Sequence, residues 1–201
     1  MLVSPILVLA SGSPRRRRML QELGVSFDQR AVDVDETPLP EESADDLVRR
    51  LAAKKATTAS PTESEIALAA DTVVVIKGRI LGKPESQLDA RAMLLALSGE
   101  THTVLSGVAV LSSQMAAPEV QVVQTLVDID AMSPDTIERY VATGEPMDKA
   151  GAYAIQGLGS VFVRAIQGSY SNVVGLPLSV TRTLLLRHGV EIPALPDLNH
   201  A

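Results

Sequence analysis

Two rhythms of apolar residues run along the chain. Ile6 to Ala10 is a short, unbroken apolar run, the mark of a buried strand. Ser11-Gly12-Ser13 interrupts it. Ser13 suits the N-cap of a helix and Pro14 its first residue, with an end expected near Gly24. Ala44, Leu47, Val48, Leu51 and Ala52 recur every three or four residues and predict a helix over Ala44 to Ala59. Ile66 to Ile76 reads as a strand, turned by Lys77-Gly78 into Arg79 to Leu81. A helix follows over Ser86 to Ser98, stopped by Gly99, and then strands over Thr103 to Ser112 and Val120 to Ala131. Ser133-Pro134 opens a capped helix that ends at Gly144. A glycine-rich stretch, Gly151 to Gly159, leads to a strand over Ser160 to Ile166 and a last helix over Pro177 to His188. The tail after about residue 193 is expected to be loose. Strands mixed with helices, some joined by hairpins, predict an α/β fold with a mixed sheet, built as one domain over residues 1–201 with two lobes.

Composition narrows the chemistry. Hydrophobic residues make up 46% but aromatics only 2%, so the core must be Val, Leu, Ile and Ala. Cysteine is absent, which excludes disulfides and thiolate catalysis. His102, His188 and His200 are the only histidines, and none are spaced as zinc ligands. A net charge of −6 and the lack of aromatic stacking platforms argue against nucleic acid as partner. The run Arg15 to Arg18 still allows a small anionic ligand. No apolar run reaches membrane-spanning length and no basic leader precedes Ile6, so the expectation is a cytoplasmic protein with no membrane partner.

Six segments carry candidate chemistry. Ser11 to Arg16 joins a strand, a small-residue loop and a helix start, the makings of an anion site. Arginines in a first turn oppose the helix dipole, so Arg15 and Arg16 are easier to justify with an anion before them; a solvated basic face is the equal alternative. Asp71 sits inside the apolar run Ala67 to Ile76. An ionised carboxylate there needs a cation, a metal or several donors. Lys55 falls in the apolar arc of its helix and either snorkels to water or faces a polar cavity. Lys83 is held extended by Pro84 and can project from a strand end, or be a plain surface lysine. Asp33, Asp35 and Glu36 form an acidic stretch that could serve a phosphate-bound cation or simply be solvated. In Asp148 to Gly159, glycines allow close backbone approach to a ligand, and Gln156 offers an amide suited to a base edge; a structural loop is the equal alternative.

Together these segments resemble the Maf family of nucleotide pyrophosphatases. The matching runs are Ala10-Ser11-Gly12-Ser13-Pro14-Arg15-Arg16, Ala70-Asp71-Thr72-Val73-Val74, Gly82-Lys83-Pro84, Ser98 to Val104, Asp148 to Tyr153, Gln156-Gly157-Leu158-Gly159 and Gly168-Ser169-Tyr170. The resemblance implies an elongated two-lobed α/β fold with a central cleft, related to inosine triphosphatase. It implies hydrolysis of a nucleoside triphosphate to monophosphate and pyrophosphate with a divalent metal, Mg²⁺ or Mn²⁺, and members that are often homodimers. Asp71 matches the proton acceptor, with Lys55 and Lys83 as catalytic cations. Ser11, Arg15 and Arg16 match substrate-binding positions, and Glu36 with Asp71 the metal ligands. Thr72 and Gln156 match positions typical of the dTTP/UTP branch. Ser106 stands where many members have Thr. Other expectations left open are modified or purine nucleotides as substrates, and a nucleotide-binding regulator of cell division without turnover.

Overall fold

A computed structural model of the chain describes residues 4–193; the tail expected to be loose lies outside the described residues. Strand β1 (Ile6–Leu9) sits beside two parallel neighbours, β2 (Phe27–Gln29) and β3 (Glu65–Ile76). A hairpin returns β4 (Arg79–Leu81) antiparallel along β3. Its turn residues Lys77 and Gly78 have φ of 48° and 78°, as a two-residue primed turn requires. Strands β5 (Thr101–Ser112), β6 (Glu119–Ile129) and β7 (Val163–Gln167) complete a seven-stranded sheet of order β2-β1-β3-β5-β6-β7, with β4 off that path. Parallel and antiparallel pairs in one sheet bear out the mixed α/β expectation. Helices are α1 (Pro14–Glu22), α2 (Ala44–Thr58), α3 (Gln87–Leu97), α4 (Pro134–Ala142), α5 (Tyr170–Val174) and α6 (Leu178–Arg187). Ser13, Ser43, Ser86 and Ser133 each cap the helix that follows them, supplying acceptors for amides that have no intrahelical partner. Among the described residues, no helix is long and apolar enough to cross a membrane.

The described residues group into two compact units. One draws on residues up to Asp71, Gly107–Val122 and the segment from Gly175; the other on Thr72–Ser106 and Val123–Val174. In the first, α2 lies against the sheet through small residues. Ala52 and Ala56 of the helix, with Ala59 at its C-cap, pack with Ala67, Ala69 and Ala109 of the strands and with Ala10 just past β1. Gly107 of β5 makes the approach closer still. A Cβ there would overlap the carbonyl oxygen of Val48 and lie 2.7 Å from its carbon. So α2 rests backbone-to-backbone on the sheet, which fixes its height to within a methyl group.

The second unit buries a larger cluster that includes Val74, Leu94, Leu97, Val127, Ile129, Tyr140 and Tyr153. His102, 2% exposed, shares Nε2 with the Tyr153 hydroxyl at 2.8 Å. Burial pushes its pKa down from 6.5 to about 4, against a smaller opposing pull from Asp128. It is therefore neutral in the fold at neutral pH. Between pH 6.5 and about 4 the unfolded chain binds the proton and the folded chain does not, so stability falls as pH drops through that window. Urea midpoints measured across it should decline more steeply for the parent than for His102→Asn. Parallel slopes would refute the buried neutral imidazole.

Candidate functional site

The site in the first unit begins with the β1–α1 turn. Ser13 Oγ accepts the Arg16 N–H at 3.5 Å and starts α1. Ser11, 7% exposed, is held from both sides. Gln29 Nε2 donates to its carbonyl at 2.8 Å, and its Oγ accepts from the Ser13 N–H at 3.2 Å and from Arg16 Nη1 at 3.3 Å. With both lone pairs engaged, the Ser11 hydroxyl has only its proton to offer. The four arginines divide as their helical fan requires. Arg17 and Arg18 are exposed, and Arg18 pairs with Glu22 at 2.8 Å. Arg15 and Arg16 are half-buried.

Arg16 does more bracing than its sequence position suggests. Its Nε donates to Gly175 O at 2.8 Å and its Nη1 to Ala70 O at 2.8 Å. The guanidinium thus ties the residue before Asp71 to the Ser11 loop and to the chain entering α6. Burial lowers its pKa, Asp71 opposes that, Arg15 adds to it, and Glu36 opposes it. Those four charges therefore share one neighbourhood. An arginine stays protonated through such a shift.

Asp71 and Lys55 meet where the alanine interface of α2 and β3 ends. Residues 67, 69 and 71 share one face of the strand, and Ala67 and Ala69 pack with Ala52, Ala56 and Ala59. Lys55 lies on that same helical stripe, and its Nζ reaches Asp71 Oδ1 at 2.6 Å. It also reaches Glu36 Oε1 at 2.5 Å. The lysine does not snorkel: it is 8% exposed and Asp71 is 6%. A buried ammonium answers the buried carboxylate, which removes the penalty of an unpaired charge. Lys54, on the edge of the arc, is exposed.

Glu36 comes from a segment without regular secondary structure. Asp35 Oδ1 accepts the Thr37 N–H at 3.0 Å and turns the chain locally. Glu42 then anchors the segment on α2. It receives Arg50 Nε at 2.6 Å and Nη2 at 2.7 Å, while Arg50 Nη2 also donates to Thr37 O at 3.1 Å. The Arg50 hydrogen bonds hold the Glu42 carboxyl down at about 2. Neither residue announced itself in the sequence, because an Arg–Glu pair eight apart has no local signature.

Thr72, Lys83 and Gln156 belong to the second unit. Alternation sends Thr72 to the opposite face of β3 from Asp71. Its Oγ1 pairs with the Oγ of the fully buried Ser106 at 2.7 Å. Either Ser or Thr can supply that hydroxyl, which explains why Ser106 is tolerated. Lys83 is exposed after β4, and the neighbouring Gly82 O accepts the Gly151 N–H at 3.0 Å. Gln156 is exposed in a loop flanked by short 3₁₀ turns, Glu145–Asp148, Ala150–Ala152 and Leu158–Phe162. These turns replace the expected start of the last strand, which begins at Val163. The glycines here leave room for the protein itself rather than for a ligand. A Cβ on Gly151 would press on Val74, and one on Gly157 on Glu145.

Among the described residues, no three His, Cys, Asp or Glu side chains group as a metal cage. Glu36 and Asp71 do converge on one ammonium. Two hard carboxylates fit a Mg²⁺ or Mn²⁺ that takes its remaining ligands from phosphate and water.

The family model described as Maf-like protein matches residues 6–188. A protein named dTTP/UTP pyrophosphatase from Anaeromyxobacter sp. (strain Fw109-5) is 51% identical over 190 residues, 93% of this chain and 91% of its own. One of the same name from Shewanella sp. (strain MR-7) is 48% identical over 194 residues, covering 92% and 99%. A crystal structure of a nucleoside-triphosphatase / dITP/XTP pyrophosphatase from Mycobacterium abscessus matches over 96% of this chain and 99% of that one, at 14% identity and a TM-score of 0.44. The family match across nearly the whole chain, and relatives about half identical to it, show that the chain belongs to the Maf-like protein family.

Proposed function

We propose that this protein hydrolyses dTTP and UTP to the nucleoside monophosphate and pyrophosphate. The observation that carries the proposal is the Lys55 ammonium held between Asp71 at 2.6 Å and Glu36 at 2.5 Å, with Arg16 tying the same strand to the Ser11 loop. Cations gathered around a strand carboxylate suit a polyanionic substrate attacked by water. The relatives' printed activity supplies the substrate class.

The reaction divides among the side chains as follows. Asp71 uses Oδ1 for Lys55 and takes the proton of a water through Oδ2, as that water forms its bond to the α-phosphorus. The bond from the α-phosphorus to the bridging oxygen breaks and pyrophosphate leaves. Arg15 and Lys55 neutralise charge on the phosphates as it grows. Lys83 serves the same end, and the Ser11 hydroxyl donates to a phosphate oxygen. Arg16 spends donors on Ala70, Gly175 and Ser11, so its larger share is to hold Asp71 and Ser11 in place. Glu36 and Asp71 would hold a divalent cation, which supplies further charge neutralisation on the phosphates. Gln156 and Thr72 select the pyrimidine.

A panel of nucleoside triphosphates assayed for pyrophosphate with Mg²⁺ or Mn²⁺ tests this reading. dTTP and UTP should be turned over fastest, each giving one pyrophosphate per monophosphate. Preference for purine or modified nucleotides would contradict the specificity. Binding without turnover of any of them would contradict the enzyme.

A further inference from the structure

We infer that Tyr140 and Glu145 form a latch that presets the Ala154–Gly159 loop and so fixes how Gln156 is presented to the base. They are positioning residues for substrate selection, and the inference rests on the reading of Gln156 as a base reader.

Helix α4 ends at Ala142, and Gly144 two residues on, with a φ of 76°, lets the chain turn back. The turn brings Glu145 beside Tyr140 on the last turn of the helix. Glu145 Oε1 accepts the Tyr140 hydroxyl at 2.8 Å and the Gly159 N–H at 2.8 Å, and Oε2 accepts the Leu158 N–H at 3.0 Å. The Tyr140 oxygen accepts the Ala154 N–H at 3.1 Å. The loop backbone is therefore pinned two residues before Gln156 and two and three residues after it. Between the pins, Gln156 and Gly157 are exposed.

The glycines match this latch atom for atom. Gly157 has φ 98° and ψ −152°, a region open essentially to glycine alone. A Cβ there would lie 2.5 Å from Glu145 Oε2. On Gly159 a Cβ would collide with the Tyr140 hydroxyl and come within 2.7 Å of Ala154 O. Partial burial raises the Glu145 pKa, but the Leu158 and Gly159 amides, the Tyr140 hydroxyl and Lys149 lower it more. The carboxylate therefore stays ionised and a strong acceptor. A side-chain amide can present either its oxygen or its nitrogen, and rejects the wrong base only if its position is fixed beforehand.

The test compares Tyr140→Phe with the parent. Phe keeps the ring, which packs edge-on to Phe162 at 5.2 Å, and removes only the hydroxyl. Two quantities are read: amide exchange across residues 154–160, and kcat/KM for UTP against CTP. Both should shift by about tenfold, the scale of losing the two hydrogen bonds that the hydroxyl makes. Exchange should speed up and the UTP preference should fall, mainly through KM. Glu145→Gln, which keeps one acceptor oxygen but sets an N–H donor against the partners of the other, should show the same pattern at least as strongly. Unchanged exchange, or a loss of kcat shared equally by UTP and CTP, would overturn the latch. Gln156→Ala separates the two ideas. A preference lost in Gln156→Ala but kept in Tyr140→Phe overturns the latch and leaves the reader. A preference lost in Tyr140→Phe but kept in Gln156→Ala overturns Gln156 as the reader, and with it the inference.

Discussion

Asp71→Asn should lower pyrophosphate release from UTP by about 10²- to 10⁴-fold, the range a positioned general base supplies. Asn matches the carboxylate in shape but cannot take a proton from water. The fold should survive. Lys55 would keep Glu36 as its counter-charge, and the Asn oxygen can still accept from the ammonium. The expected cost in stability is about 1–3 kcal/mol, that of weakening a hydrogen bond to a charged group. Nucleotide binding should hold or tighten, because one negative charge beside the triphosphate is gone. Turnover, urea unfolding and UTP titration on the same preparation separate these effects. Retained activity would remove Asp71 from the chemistry. Loss of folding in step with activity would make it a structural residue.

Gly107→Ala should be among the most destabilising single-methyl additions in the first unit. The added carbon would overlap the Val48 carbonyl oxygen and crowd the Arg49 nitrogen at 3.2 Å. Those are backbone atoms of a helix and cannot rotate away. Either α2 lifts or β5 sinks, and overpacking of this kind costs about 3 kcal/mol. Activity should fall further than stability explains, because Lys55 is two turns along the same helix and its contact with Asp71 is 2.6 Å. Urea unfolding should show the loss, and kcat/KM measured well below the midpoint should show the extra drop. A variant as stable as the parent would mean that α2 does not rest on β5 as described.

What could be read from the sequence was local. The Ser13-Pro14 cap, the Lys77-Gly78 turn and the apolar arc of α2 each depend on a few neighbouring residues, and each stands where expected. Strand β2 was not legible, since three residues carry no period and Phe27–Gln29 is a strand only by pairing with β1. Helix α5 is five residues long and escaped for a similar reason. In the site, Asp71 stood out because a carboxylate in an apolar run demands a partner. That Lys55 is the partner depends on the packing of α2 against β3, which spacing does not reveal. The roles of Gly157 and Gly159 depend on Tyr140 and Glu145 of an earlier turn, so the sequence alone leaves ligand space and a structural loop equally open.

A single turnover of UTP in water enriched with ¹⁸O tests most directly whether the Asp71 carboxylate sends water to the α-phosphorus. The label should appear in UMP and be absent from pyrophosphate. Label found in the pyrophosphate would place the attack on the β-phosphorus and contradict the chemistry assigned to this cluster.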